Sequence, residues 1–486
     1  MTTTPRPPRT LREAWIALAG LSAVFLFEML DNSILNVALP TIGRELDATT
    51  TGLQWVTGAY SVAFGGMMLL FGAVADRFGR RRVMLIGLVI LGLASLATLF
   101  VTTTEQLIAV RAVMGIAAAM TTPGSMALAF RLFGNDDLRV RAITVISTAG
   151  LVGLAVGPTA GGLALAVVPW QVLLLINVPI AALAFVGIRA GIAADDPADR
   201  HHDPIDIWGA VLGTSAIVLA LITPTLFVDL GTGSWMPWAG LAATVAAGVG
   251  FVLRERTART PLLDLRLLAL PLVSSGLAYK AAAGLAVAGL SYLVTLQLQF
   301  AWGWPPAAAA VAMLPQVVVL LASGRFVGPF VQKFGLDRAA FVSSVAVVLG
   351  LAVFGLFGRF GYGYILFALV LVAIGMRVVG VVAGTNVLKG LPESRTSMGA
   401  ALVDTSSELA TAIGIAATGT LLAALFTGSI ASTDWSASQM GQFETAVTIA
   451  GLTLTVLAAA LVAVGLLRSR EGVREHGNEA VVTAAD

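Results

Sequence analysis

Two pairs of carboxylates stand inside stretches otherwise fit for the interior of a bilayer. Glu28 and Asp31 are three residues apart, which on a helix puts them about 60° apart on one face. Asp404 and Glu408 are four apart, again on one face, among Thr405, Ser406 and Ser407. A lone carboxylate in hydrocarbon is costly when ionised and escapes that cost by taking a proton. All four are therefore candidate proton-coupling groups. Asp31 is the foremost, because Asn32, Ser33 and Asn36 around it suggest a cavity wall that water reaches. The other role open to each acid is structural, as the partner of a buried cation. Arg111, Lys280 and Arg377 are such cations. Each must face the protein interior, where it neutralises the acids or binds an anionic group of a substrate.

These residues need helices to carry them. A membrane span takes about 20 mainly apolar residues. Fourteen such runs are legible: 15–39, 52–75, 83–101, 107–130, 142–166, 170–190, 206–227, 237–254, 271–299, 307–328, 338–357, 363–388, 397–426 and 443–467. The runs are too long for strands and do not alternate. Composition agrees. The chain has 486 residues, 57% hydrophobic and 12% charged, against about 25% charged in soluble domains. Its mean hydropathy is +0.90.

Charge placement orients the runs. With the N-terminus inside, every Lys and Arg outside the spans falls in an inside segment, except Arg44 and Arg359. The alternation satisfies the positive-inside rule at each loop, so both termini are expected in the cytoplasm. Residues 1–14 are polar and basic, and the apolar run after them is too long for a cleavable signal.

Several chemistries are excluded. Cysteine is absent, so no disulfide or thiolate site exists. The histidines, His201, His202 and His476, lie in polar segments, and no metal or other cofactor is expected. There is no Gly-Lys dipeptide, hence no P-loop; no ATPase subunit is implied, and the energy source should be an ion gradient. A net charge of +2 gives no reason to expect nucleic acid.

The chain also repeats itself. Gly72-Ala-Val-Ala-Asp76-Arg77-Phe78-Gly79 after the second run has its counterpart in Gly328-Pro-Phe-Val-Gln332-Lys333-Phe334-Gly335 after the tenth. Parallel repeats of six helices account for this spacing. The expected organisation is a cytoplasmic N-terminus (1–14), a six-helix bundle (15–190), an inserted helix pair (206–254), a second six-helix bundle (271–467) and a cytoplasmic tail (468–486). Gly72 and Gly79 permit a tight turn there, and Asp76 with Arg77 ends the second helix where an ion pair across that face latches one state. Gly153, Gly157 and Gly161 recur every four residues with Pro158 between them, forming a smooth stripe against which another helix packs or slides.

These segments carry a resemblance. Leu30-Asp31-Asn32-Ser33-Ile34-Leu35-Asn36-Val37-Ala38-Leu39-Pro40, Gln54-Trp55-Val56-Thr57 with Tyr60, Gly72 to Val83, Arg111 with Gly115, Gly153 to Gly162, and Asn177-Val178-Pro179 together resemble the fourteen-helix drug:proton antiporter family of the major facilitator superfamily. The chain departs from the pattern at Trp170-Gln171-Val172-Leu173-Leu174, at Gln332 and at the acids Asp404 and Glu408. The resemblance implies an all-α integral membrane protein with the major facilitator fold, two six-helix bundles plus two inserted helices. It implies a non-enzymatic antiporter of the bacterial inner membrane, exporting small amphipathic compounds against protons by alternating access, as in multidrug efflux and antibiotic resistance. A dedicated exporter of one metabolite or lipid is the alternative, and a non-transporting sensor or scaffold a more remote one.

Overall fold

The computed structural model describes residues 10–133, 136–195, 206–259, 261, 265–391, 396–428, 430 and 435–483. Among them the chain is helical, and each apolar run lies on a helix. In chain order these are α1 (Trp15–Glu45), α2 (Thr50–Phe78), α3 (Arg80–Ala97), α4 (Thr104–Leu132), α5 (Asp136–Ala164), α6 (Trp170–Gly191, interrupted at Ile176), α7 (Ile207–Leu230) and α8 (Trp235–Thr257). They continue with α9 (Pro271–Leu296, ending in a π turn at Gln297–Ala301), α10 (Pro306–Phe334), α11 (Leu336–Phe357), α12 (Tyr362–Gly390), α13 (Thr396–Leu425) and α14 (Ala437–Thr483). The chain is a multi-pass membrane protein.

Local chemistry sets the ends. Thr49, Thr103 and Ser234 cap α2, α4 and α8 by accepting from backbone N–H groups in the first turn. Gly79 and Gly335, at equivalent places in the two repeat segments, both take positive φ, 106° and 77°. Each turns the chain from one helix straight into the next, a conformation favourable to glycine.

Several helices overrun their expected ends, α1 and α14 among them. α1 passes Pro40 and continues to Glu45. Neighbouring groups can satisfy the backbone that a proline disturbs, and Gln299 Nε2 donates to the Val37 carbonyl at 3.0 Å in that turn. α14 continues beyond 467 into the expected tail, where Arg468 pairs with Glu471 at 2.8 Å and the helix no longer needs to be apolar.

Packing divides the spans. α1 packs on α5 and α6, α2 on α4, and α3 on α4 and α6. In the second half α9 packs on α12, α13 and α14, α11 on α12 and α14, and α10 on α12. The halves meet chiefly along α2–α13 and α5–α10. The pair α7–α8 packs mainly on itself, with α7 alone leaning on α2 and α13. The basic end of this pair is pinned by Asp206, which caps α7 through Gly209 N (3.1 Å) and bonds Arg254 Nε of α8 (2.9 Å). Burial opposes the Asp206 charge, but these hydrogen bonds hold its carboxyl below the usual aspartate range. The resulting stabilisation is present at neutral pH and fades as pH falls through that lowered pKa.

The glycine stripe of α5 lies against α1. A Cβ at Gly153 would stand 2.7 Å from the Leu26 carbonyl, and the positions at Gly157 and Gly161 face Ser33 and Ile34. The expected partner helix is thus α1. Pro158 lies within this same stretch of α5.

Candidate functional site

The face of α1 that carries Glu28 and Asp31 is turned into the protein, and both residues are buried. Asp31 Oδ2 forms an ion pair with Arg111 Nη1 of α4, both side chains being wholly inaccessible. Its Oδ1 accepts from Asn177 Nδ2 of α6 at 2.6 Å. The Arg111 guanidinium lies 4.6 Å from the centre of the Tyr60 ring of α2. One carboxylate thereby ties α1, α2, α4 and α6 together. Nε and Nη2 of Arg111 find no partner among the described residues. The cluster is therefore only partly satisfied, an arrangement that is costly in a low dielectric.

Glu28 is placed differently. Its carboxylate accepts from Thr122 Oγ1 of α4 at 2.9 Å, and among the described residues no cation forms an ion pair with it. It faces the other half of the molecule. Asp404 and Glu408 of α13, with Lys280 of α9, lie close enough for their charges to act on Glu28 and on one another. Ser61 of α2 stands near Glu408, whose Cβ side packs against Gly65 of the same helix. Three carboxylates and one ammonium, drawn from both halves, thus act on one another electrostatically. This cluster has no fixed ion pair among the described residues.

The two remaining sequence candidates stand apart from this cluster. The Arg377 guanidinium packs against Gly324 of α10 and makes no ion pair among the described residues. Asn36 is half-buried, and its Oδ1 has no partner among the described residues. Asn177, Thr122 and Ser61 are neighbours of the acids that sequence reasoning did not single out. Asn177 and Tyr60 stood in the quoted family segments, so their positions were visible although their contacts were not.

At the basic end, Asp76 bonds Arg80 Nε at 2.7 Å within its own half. Arg77 lies exposed with its guanidinium over the Phe78 ring. Asp195 accepts the backbone N–H groups of Arg81 and Arg82 at 3.2 and 3.1 Å, capping the start of α3. Around Gly72 there is open space. At the opposite end the halves are clasped: Gln54 bonds Thr420 (3.4 Å), Gln299 bonds the Val37 carbonyl, and Arg44 reaches the Gln299 carbonyl (3.5 Å) while lying over the Phe300 ring.

Comparison with known proteins identifies the family. The sequence profile of the Major Facilitator Superfamily matches residues 21–415. The multidrug efflux pump LfrA of Mycolicibacterium smegmatis is 29% identical over 88% of this chain and 84% of its own length. The methyl viologen resistance protein SmvA of Salmonella typhimurium is 30% identical over 86% and 84%. The cephamycin export protein CmcT of Amycolatopsis lactamdurans is 30% identical over 94% of each chain. Among solved structures, the POT family transporter PepTSo superposes with a TM-score of 0.70 at 14% identity, covering 96% of this chain and 99% of that one. A bacterial homologue of the lysosomal transporter Spinster gives 0.66 at 15% identity, covering 95% and 98%.

Proposed function

The chain belongs to the major facilitator superfamily, and from that premise we propose that it is a proton-coupled antiporter exporting small amphipathic compounds across a bacterial inner membrane. The observation that carries this reading is the convergence of Glu28, Asp404 and Glu408 from opposite halves around Lys280. Buried acids without a fixed cation are tolerated only by holding a proton or a cationic ligand. Such a cluster can exchange one for the other as the halves rock. The Asp31–Arg111 pair acts beside it: a proton on Asp31 releases Arg111 and loosens α1 from α4 and α6, so proton loading is felt as a change of packing. Asn36 and Arg377 are assigned to the cavity wall, where they contact substrate in another state of the cycle.

The antiport assignment is tested in proteoliposomes. Addition of a transported compound should drive proton movement in the opposite direction, read by an entrapped pH dye. Screening cationic, zwitterionic and anionic compounds gives the charge preference. Substrate movement with no proton movement rejects antiport. Export of one dedicated metabolite is a second reading, favoured by the similarity to the cephamycin exporter; a response confined to one chemical class in this screen selects it.

The gate follows from the clasp at one end and from Asp76 at the other. With the termini and basic loops in the cytoplasm, the present state is closed outside. Asp76 then rests on Arg80 and exchanges this partner for a cation of the other half when the cytoplasmic end closes. Gly72 and Gly79 give room for that approach, and the α5 stripe of Gly153, Gly157 and Gly161 around Pro158 is the surface on which α1 slides. Asp76→Asn should impair transport without lowering the amount in the membrane, because the attraction to the other half that it removes is made in one state only. In this cysteine-free chain, Arg77→Cys reports sidedness, and an impermeant maleimide should label it only from the cytoplasm. Unchanged transport in Asp76→Asn with Arg77→Ala rules out the latch, and labelling from outside overturns the topology.

A further inference from the structure

An apolar cavity of about 640 Å³ lies between α7–α8 and the seam where α2 meets α13, bordering the carboxylate cluster at Gly65, on which Glu408 packs. It is lined almost wholly by carbon, with Ile217, Phe251, Leu285, Leu409, Ile413 and Leu461 among its walls. Its size falls in the range of about 300–1,000 Å³ usual for small-molecule sites. The cavity exists because α7 leans on the seam along part of its length only. Ile217, Val218 and Leu221 pack on Val62 and Ala412, and Thr214 Oγ1 bonds the Gly66 carbonyl at 2.8 Å. Toward the basic end α7 presents Gly209, Ala210 and Gly213, which are too small to reach across.

The depth of the cavity says what fits it. On α13 the lining runs from Leu402 to Ile413, about 16 Å at 1.5 Å per residue. That is close to one leaflet of a hydrocarbon core about 30 Å thick. The lining starts at the basic end, with Gly209 in the first turn of α7 and Leu268 on the short helix Leu265–Ala269 before α9. Exposed arginines occur at the same end: Arg266 two residues from Leu268, and Arg254 and Arg256 in the last turn of α8. Ile413, at the deep end, is 46% exposed, so the cavity is not sealed there.

We propose that this cavity binds one acyl chain of an anionic phospholipid from the leaflet at the basic end, with its headgroup level with these arginines. A chain of one-leaflet length fills a slot of one-leaflet depth, and its phosphate meets positive charge at the open end. The bound chain completes the contact that α7 does not make with the seam. It therefore keeps the inserted pair docked while α2 and α13 move past each other.

The test uses the full chain in nanodiscs of phosphatidylethanolamine and phosphatidylglycerol, part of the latter carrying a photoactivatable group in mid-chain. Irradiation and peptide mapping should place the label on Ile217, Leu409, Ile413 and Leu461, several-fold above Leu183 and Val186, which are exposed on α6. Ala216→Trp with Ala460→Trp, two small lining residues enlarged to fill the space, should cut that labelling several-fold. Ala216→Leu serves the same purpose if the bulkier pair fails to fold. Label spread evenly over the lipid-facing helices overturns the proposal, as does label unchanged in the filled variants. Displacement of the label by a saturating transported compound also overturns it, by assigning the cavity to the transport path.

Discussion

Asp31→Asn is expected to abolish proton-driven export. The substitution keeps the shape of the side chain and removes its charge and its capacity to titrate. In the folded protein it leaves Arg111 fully buried with no countercharge, facing at most an amide oxygen and the Tyr60 ring. Breaking a buried pair by deleting one member costs about 3–5 kcal/mol, so the single variant should also be less stable. The two effects separate in a second variant. Asp31→Asn with Arg111→Gln removes both charges, which should recover most of the stability, because two neutral amides in place of the pair leave no uncompensated charge. It should not recover coupling, since no group there can load a proton. Thermal stability in detergent is compared with substrate efflux and proton flux in vesicles carrying an imposed pH gradient. Efflux and proton flux both retained in Asp31→Asn would falsify the coupling role and leave Asp31 as a packing device.

Glu408→Gln should split substrates by charge. Glu408 lies with Asp404, Glu28 and Lys280 where the halves meet, so a cationic substrate gains from its charge directly. Two unit charges about 4 Å apart at an effective dielectric of about 20 attract by about 4 kcal/mol. Even a third of that, about 1.4 kcal/mol, is a tenfold change in affinity. Affinity for a cationic compound should therefore fall by about tenfold or more, and affinity for a neutral compound of similar size should change little. The driving effect of acid on the trans side should flatten as well, because an amide does not exchange a proton. Binding is measured by titration calorimetry on the purified protein, and coupling by efflux at several imposed pH gradients. Equal loss for charged and neutral compounds points instead to a structural role, through the packing against Gly65.

The placement of the spans was legible in the sequence because the bilayer leaves little choice. Backbone in hydrocarbon must be helical to satisfy its own polar groups, so long apolar runs become helices whatever their neighbours. Their order follows from the alternation of basic loops, and the paired Gly79 and Gly335 turns were visible as a repeated segment. The faces of Glu28 with Asp31, and of Asp404 with Glu408, followed from helical periodicity alone. Periodicity says which residues share a face, but it does not say what that face meets.

That was decided by tertiary packing. Asp31 finds Arg111 at a separation of 80 residues and Asn177 at 146, distances over which no local pattern carries information. Lys280 and Arg377 looked alike in the sequence, both cations in apolar spans. Only the rotation of α9 and α12 about their axes, set by how each packs on its neighbours, turns Lys280 toward the acids and lays Arg377 on Gly324. The acyl-chain slot is likewise absent from any one segment. It arises where α7, made small by Gly209, Ala210 and Gly213, fails to close on a seam formed by helices far away in the chain.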